Sequence, residues 1–480
     1  MKYGKLIGLV LMVVVLTWSC RVPKELNPVK PVQPPTAFKA DTLLSDTAVL
    51  VAWRDYFKDT RLVSLIDTAM SKNLDMQIAN QRVFAAQANL SASKSALFPQ
   101  LRAAGWAGAT QYGKYTQEGV GNFDTNQSSN ISSDQKIPDP VTNYYVGAGA
   151  SWETGLWGKL RNRKRAQFNR FLASTQGRQL VITRLVAEVA ARYYELLALD
   201  NELDIIRRFV RLQERAVDVI HIQKQSGRIT ELGVKQFEAQ LYRFRAMEVV
   251  KRQEIIATEN ALNTLLGRFP QSIQRNDTLD LNNLSAMANA GVPSQLLINR
   301  PDIRQAESTF IGADYELKAA RAAYFPTILI TADAGMNAFR SSQWFLAPES
   351  FAYNVLGGIS APILNRYQIT AAYRNAYANR NQAFIEYQRA VLTGVEEVST
   401  ELNRVANYRR VSLLKAQERQ TLVDAVDIST DLFLTGYANY MEVLIARGNR
   451  LETELQLTET YKQQYLAAIN LSRALGGGWR

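Results

Sequence analysis

The side chains that most often carry proton transfer and thiol chemistry are scarce here: the chain has one histidine, His221, and one cysteine, Cys20. No catalytic triad built on histidine and no multi-histidine metal site is available, and His221 reads as a helix-surface residue. A lone Cys20 allows neither a disulfide nor a thiolate metal site within one molecule. Carboxylate pairs of the kind a glycosidase uses do occur, at Glu396-Glu397 and at Asp424 with Asp427. At spacings of one and three on a helical stretch they read as solvated charges. No glycine-rich phosphate loop follows a strand, and Gly476 to Gly478 read as a C-terminal tail. The expectation is therefore a protein without catalytic residues, metal or cofactor.

Composition excludes disorder: 47% of the 480 residues are hydrophobic and 21% charged. The N-terminus, MKYGKLIGLVLMVVVLTWSC, has Lys2 and Lys5, an apolar run from Leu6 to Leu16 and a small residue before Cys20, the pattern of a secretory signal too short to span a bilayer. Cys20 at the end of such a run resembles the lipobox of bacterial lipoproteins, in which the thiol is acylated; the alternative is an incidental cysteine in a discarded signal. The formal charge of +12 falls to about +10 once Lys2 and Lys5 leave. Export argues against a nucleic-acid partner, and arginines dispersed along helices account for the charge.

Residues 21 to 35 hold five of the 14 prolines and read as an extended tether. No proline follows from Val141 to Arg268 or from Ile363 to Arg480, and both stretches are rich in Ala, Leu, Glu, Gln and Arg at helical spacing. Gly227 and Gly436 interrupt them and suit tight turns between antiparallel helices. A helix from about Asn162 to Ser226 is on the order of 90 Å long, and its charges forbid lipid. It must stand in water, packed lengthwise in a coiled coil or α-helical barrel.

The chain repeats itself. Phe98-Pro99 and Phe325-Pro326 lie 227 apart; Gly227 and Gly436, like Gly267 and Gly476, lie 209 apart. A loop longer in the first copy absorbs the difference of 18. After each Phe-Pro the pattern switches to alternation: Ile328, Ile330, Ala332, Ala334 and Met336 share one face, and Val355 and Ile359 answer them. In the first copy Leu101, Ala103, Ala107 and Ala109 face Val146, Ala148, Ala150 and Trp152. Strands of about ten residues suit a tilted membrane strand. Tyr112, Tyr144, Tyr145, Trp152, Phe339, Trp344, Phe345, Phe351 and Tyr353 form either an interfacial girdle or ordinary loop packing. Two hairpins cannot close a barrel, for which roughly eight strands are the minimum, so several chains must pool them.

Three stretches match a known family. LINRPDIRQAE (297–307), SWETGLWGKLRNR (151–163) and TGYANYMEVLIAR (435–447) resemble signature elements of TolC-like outer membrane factors, in the lipoprotein branch of OprM-, CusC- and NodT-like efflux channels. The resemblance implies a trimer with a 12-stranded β-barrel in the outer membrane and a twelve-helix periplasmic tunnel. It also implies docking to a periplasmic adaptor (membrane fusion protein) and an inner-membrane pump of the RND type. It makes the chain a passive exit duct. Arg300, Pro301, Asp302 and Ile303 become a structural signature, with Pro301 and Asp302 suited to a helix start. Gly227, Arg228, Gly436 and Tyr437 become candidates for the adaptor-contacting turns. Glu442, with Tyr437 and Tyr440, becomes a candidate for the tunnel constriction; Ile445 takes the family's second acidic position, and a solvated Glu442 is the other reading.

The expected partition is a signal over 1–19, a lipid-anchored tether over 20–50, first-repeat helices over 51–100, a first hairpin over 101–152 and a long helical hairpin over 153–269. A connector over 270–300 leads to the second-repeat helix over 301–326, the second hairpin over 327–361 and the last helical hairpin over 362–480. The rival readings are a lipid-anchored periplasmic coiled-coil scaffold without a pore, and a surface lipoprotein that binds nutrients.

Overall fold

The computed structural model describes residues 52–276, 296–361 and 366–479. Cys20, the tether and most of the expected connector lie outside these residues. The elements in chain order are α1 (Trp53–Tyr56), α2 (Thr60–Lys72), α3 (Leu74–Ser95), β1 (Gln100–Thr110), α4 (Gln117–Gln127), β2 (Val141–Thr154), α5 (Lys159–Gln225) and α6 (Glu231–Leu265). They continue with α7 (Leu296–Asn299), α8 (Pro301–Ala322), β3 (Thr327–Ala338), β4 (Phe351–Ser360), α9 (Arg366–Thr435) and α10 (Tyr440–Ala474).

The duplication is visible in these bounds. α3 and α8 each have 22 residues and start 227 apart, as do β1 and β3; α6 and α10 each have 35 and start 209 apart. The loop between β1 and β2 spans 111–140, and that between β3 and β4 spans 339–350. Thirty residues against twelve leave the difference of 18. The longer loop spends part of its excess on α4, a helix absent from the sequence expectation.

Both Phe-Pro junctions use the same bonds. Phe98 N–H donates to Ser95 O at 3.0 Å and Phe325 N–H to Ala322 O at 3.2 Å, tightening the last helical turn before a proline that has no N–H to continue it.

The chain divides into two compact units. The first comprises Ala86–Phe171 and Phe310–Ala383 and holds one antiparallel sheet in the order β1-β2-β3-β4. Its register places every apolar side chain named above on one face. Leu101, Ala150, Ala332 and Val355 form one row across the sheet, and Gly105, Val146, Met336 and Phe351 another. The opposite face is polar along the row Arg102, Gly149, Asp333, Asn354, where Arg102 Nη2 lies 3.3 Å from Asp333 Oδ1. A Cβ on Gly149 would collide with the Asp333 carboxylate, so the ion pair crosses β2 only because glycine stands between its members.

The same register corrects the girdle. Tyr144 and Tyr145 are consecutive in β2 and point to opposite faces, so Tyr145 stacks on Trp106 on the polar side, ring centroids 6.0 Å apart. Trp344 packs on Tyr144 at 5.4 Å and donates from Nε1 to Met336 O at 3.3 Å, so it anchors its loop.

The second unit holds Leu172–Thr309 and Phe384–Arg480 with the described residues up to Ala85. Its largest core gathers Leu62 and Ile66 of α2, Val189, Tyr193 and Leu196 of α5, Leu262 of α6 and Tyr465 and Ile469 of α10. Burying a side chain of this size contributes about 1.5–3 kcal/mol. Asp59 caps α2 by accepting from Arg61 N at 2.9 Å and also accepts from the buried Tyr193 hydroxyl at 2.6 Å, tying the short N-terminal helices to α5.

Candidate functional site

The two helical turns share one local design. α5 is followed by Gly227, φ +74°, and Arg228 N–H donates back to Gln223 O at 3.0 Å; α9 is followed by Gly436, φ +83°, and Tyr437 N–H donates to Leu432 O at 2.8 Å. Positive φ at the residue after a helix, with a bond from the next amide to the last turn, is the glycine stop. Each following helix starts from a side-chain cap. Thr230 Oγ1 accepts from Gly233 N at 3.3 Å, and Asn439 Oδ1 accepts from Met441 N at 3.2 Å.

The turns meet through an apolar cluster of Ile220, Val234, Phe237 and Leu444, flanked by Ile229, Phe433 and Tyr440. Through this cluster the residues flanking Gly227 and Arg228 pack on those flanking Gly436 and Tyr437, while the four themselves stand outside it. Arg228 is exposed, and Tyr437 is 86% exposed. Tyr440 is otherwise occupied: its ring lies 6.4 Å from Phe237 and covers Gly233. Glu442 is exposed, but its carboxylate accepts from Asn439 N at 3.3 Å and closes a capping box. Ile445 is exposed beside it. On the first turn Lys224 binds Glu231 and holds that carboxyl below the usual range, while His221 Nε2 lies 3.3 Å from Glu238.

The signature at 300–303 forms a clamp. Arg300, 4% exposed, donates from Nε and Nη2 to the two oxygens of Asp302 at 3.0 and 2.6 Å. Its Nη1 donates to Glu397 Oε2 at 2.8 Å and to the Ala474 carbonyl at 2.9 Å. Burial works against charge on both groups, and the Arg300–Asp302 bonds outweigh it: the guanidinium is pushed up and the Asp302 carboxyl held down. Ile303, 1% exposed, packs on Val398, Leu402 and Leu471.

Two expectations change here. Glu397 is no solvated helix charge; it is bound by Arg300 and approached by Arg473 at 3.6 Å, because its neighbours come from the junction of α7 and α8 and from α10. Gly476 and Gly477 are buried, and Gly476, φ +90°, abuts the Asn299 carbonyl, so the glycine run is packed structure and no tail.

One clamp residue was missed in the sequence. Asn73, 227 before Arg300, is 4% exposed and donates from Nδ2 to the Leu265 carbonyl at 2.9 Å, while its Oδ1 accepts from Met76 N at 3.0 Å. Applying the repeat offset to position 300 finds it.

Residues 65–268 and 292–477, one stretch in each copy, match the family described as outer membrane efflux protein. The chain belongs to the outer membrane efflux protein family. It is the outer membrane channel component of a tripartite efflux system, in the family's lipoprotein branch, and works at the cell outer membrane. The family consists of channel proteins rather than enzymes.

Among its relatives is the cation efflux system protein CusC of Escherichia coli O6:H1, 27% identical over 474 residues covering 97% of each chain. The probable outer membrane lipoprotein SilC of Salmonella typhimurium is 27% identical over 434 residues, 89% of this chain and 88% of that one. In fold, the outer-membrane channel OprN superposes with a TM-score of 0.83 at 21% identity, over 95% of this chain and 99% of that one. The open state of the Neisseria gonorrhoeae MtrE channel gives 0.81 at 22%, over 96% and 99%. The pore-less scaffold and the nutrient-binding lipoprotein are accordingly set aside.

Proposed function

We propose that three copies of this efflux channel join their sheets edge to edge into a 12-stranded barrel. Substrates handed over by a periplasmic adaptor and an inner-membrane pump of the RND type then pass out through it passively. One observation carries the reading: the sheet has a continuous apolar face, yet β1 and β4 are exposed along their whole length, with no strand paired to either outer edge among the described residues. Unpaired edge amides in hydrocarbon cost several kcal/mol each, so such a sheet is stable in lipid only when another chain completes it.

In this reading Gly227, Arg228, Gly436 and Tyr437 form the adaptor-facing turns, Tyr437 and Glu442 border the constriction with Tyr440 supporting them from inside the turn cluster, and acylated Cys20 anchors the chain. Arg300 to Ile303 hold the wall together and take no part in transport. The chain performs no catalytic step. The test is detergent-extracted protein run unheated and heated, with single-channel recording in planar bilayers. A heat-sensitive trimer with discrete conductance is expected; a stable folded monomer without conductance ends the proposal.

A further inference from the structure

All four junctions between strand and helix lie at one end of the sheet, where Gln100 pairs with Ser151, Thr154 with Ile328 and Thr327 with Ser360. The chain segments abutting them, residues 86–99, 155–168, 317–326 and 366–374, contain ten Lys or Arg and no Asp or Glu, with Glu153, Asp314 and Glu316 the acids just outside them. In a chain with 56 basic and 44 acidic residues, chance supplies nearly as many acids as bases, so this end of the sheet is selectively positive.

Three of the ten are engaged locally. Lys159 pairs with Glu153 at 2.9 Å, Lys318 with Asp314 at 2.8 Å, and Arg165 stacks over Tyr315 at 5.6 Å. Lys94, Arg161, Arg163, Lys164, Arg321 and Arg374 have no carboxylate within ion-pair distance among the described residues, and all but the half-buried Lys164 are exposed. Large apolar side chains stand exposed at the same junctions: Phe98 at 68%, Leu156 at 61%, Trp157 at 51% and Tyr367 at 91%.

From this we infer that the junctions form a basic, aromatic collar that binds the headgroup phosphates of anionic glycerophospholipids in the leaflet facing the periplasm. Aromatic rings settle at the hydrocarbon boundary, and guanidinium and ammonium groups just beyond it meet the phosphate layer. Continuity decides between lipid and an acidic protein partner: the collar begins where the apolar sheet face ends, so whatever solvates that face reaches the collar. The inference rests on the reading that this face meets lipid.

The test uses the full-length trimer in nanodiscs, washed and re-equilibrated with equimolar phosphatidylglycerol and phosphatidylcholine. Co-purified lipid is then counted by native mass spectrometry at low and high salt. The wild type is expected to retain phosphatidylglycerol preferentially and to release it at high salt. The triple variant Arg161→Gln/Arg163→Gln/Lys164→Gln is expected to bind it more weakly by roughly fivefold per charge, about a hundredfold in all. Arg161→Lys/Arg163→Lys should keep most of the preference, and Arg211→Gln/Arg215→Gln/Arg419→Gln all of it. Equal retention of both lipids by inserted wild-type trimers, or an equal loss in the control variant, overturns the collar. Wild-type protein that never inserts would instead overturn the channel reading beneath it.

Discussion

Arg300 donates from Nη1 to the main-chain carbonyl of Ala474 at 2.9 Å, and the residue 227 places earlier, Asn73, donates to the carbonyl of Leu265, 209 places before Ala474, at the same 2.9 Å. Both carbonyls close the last turn of a 35-residue helix, where no backbone amide remains to donate to them. The two copies thus lock their long helical hairpins by one device, a buried side chain from the start of a helix capping the end of another. In the second copy the device is charged, with Asp302 and Glu397 sharing the guanidinium.

Replacing Arg300 by methionine leaves two carboxylates and a carbonyl facing a buried methyl group. The cost is expected to be about 3–5 kcal/mol, against about 1–3 kcal/mol for Asn73→Ala, which loses two neutral bonds. Arg300→Lys should fall between wild type and Arg300→Met, since an ammonium cannot reproduce the fork toward Asp302. Midpoints of thermal dissociation of the purified trimer give the order; equal midpoints for all three would refute the clamp.

The clamp also sets a pH dependence. Because the Asp302 carboxyl is held below its unfolded value near 3.9, its contribution is present in full above about pH 4 and is lost as pH falls through the lower folded value. Stability should therefore drop steeply below about pH 4, and Asp302→Asn should lose that part of the slope while starting from a lower plateau at pH 7. Urea titrations at a series of pH values test it, and parallel profiles for the two proteins would count against it.

Glycines at the helix ends should differ in cost. Around Gly436 nothing lies within 4 Å of an added Cβ, so Gly436→Ala pays only the left-handed strain of about 1–2 kcal/mol. At Gly476 the same Cβ would lie 2.6 Å from the Asn299 carbonyl oxygen, so Gly476→Ala adds a backbone collision to the strain and should be the more damaging. Expression level and thermal midpoint, compared within one experiment, decide the ranking.

The two faces of β4 can be separated by adjacent residues. Val355 pairs with Ala332 on the apolar face and Asn354 with Asp333 on the polar one. Val355→Arg, at a lipid-facing site, should cost about 2–4 kcal/mol near the bilayer middle and reduce the yield of inserted trimer. Asn354→Arg should insert normally and shift ion selectivity toward anions, read from the reversal potential in a salt gradient. Similar yields for both variants would show that the faces are not distinguished.

Metabolic labelling with palmitate tests the anchor. Wild-type protein should incorporate label and Cys20→Ser should not, while folding of the channel persists because the sheet and helices are built without that residue. Absence of label from the wild type removes acylation at Cys20 from the account.

Much of this architecture was legible in the sequence because it rests on short-range rules. Period-two alternation fixes which side chains share a sheet face, a proline after phenylalanine ends a helix, and Gly227 and Gly436 supply the positive φ their turns require. Repeat spacing, being arithmetic, survives folding unchanged. Pairings between distant segments obey no such local rule. That β2 lies against β3, that Glu397 belongs to Arg300, and that Tyr440 turns inward to Phe237 were decided only when separated helices and strands packed. A side chain's chain neighbours limit its conformation, but the partner that satisfies a buried charge or covers a ring is whichever group the packed fold brings within a few ångströms.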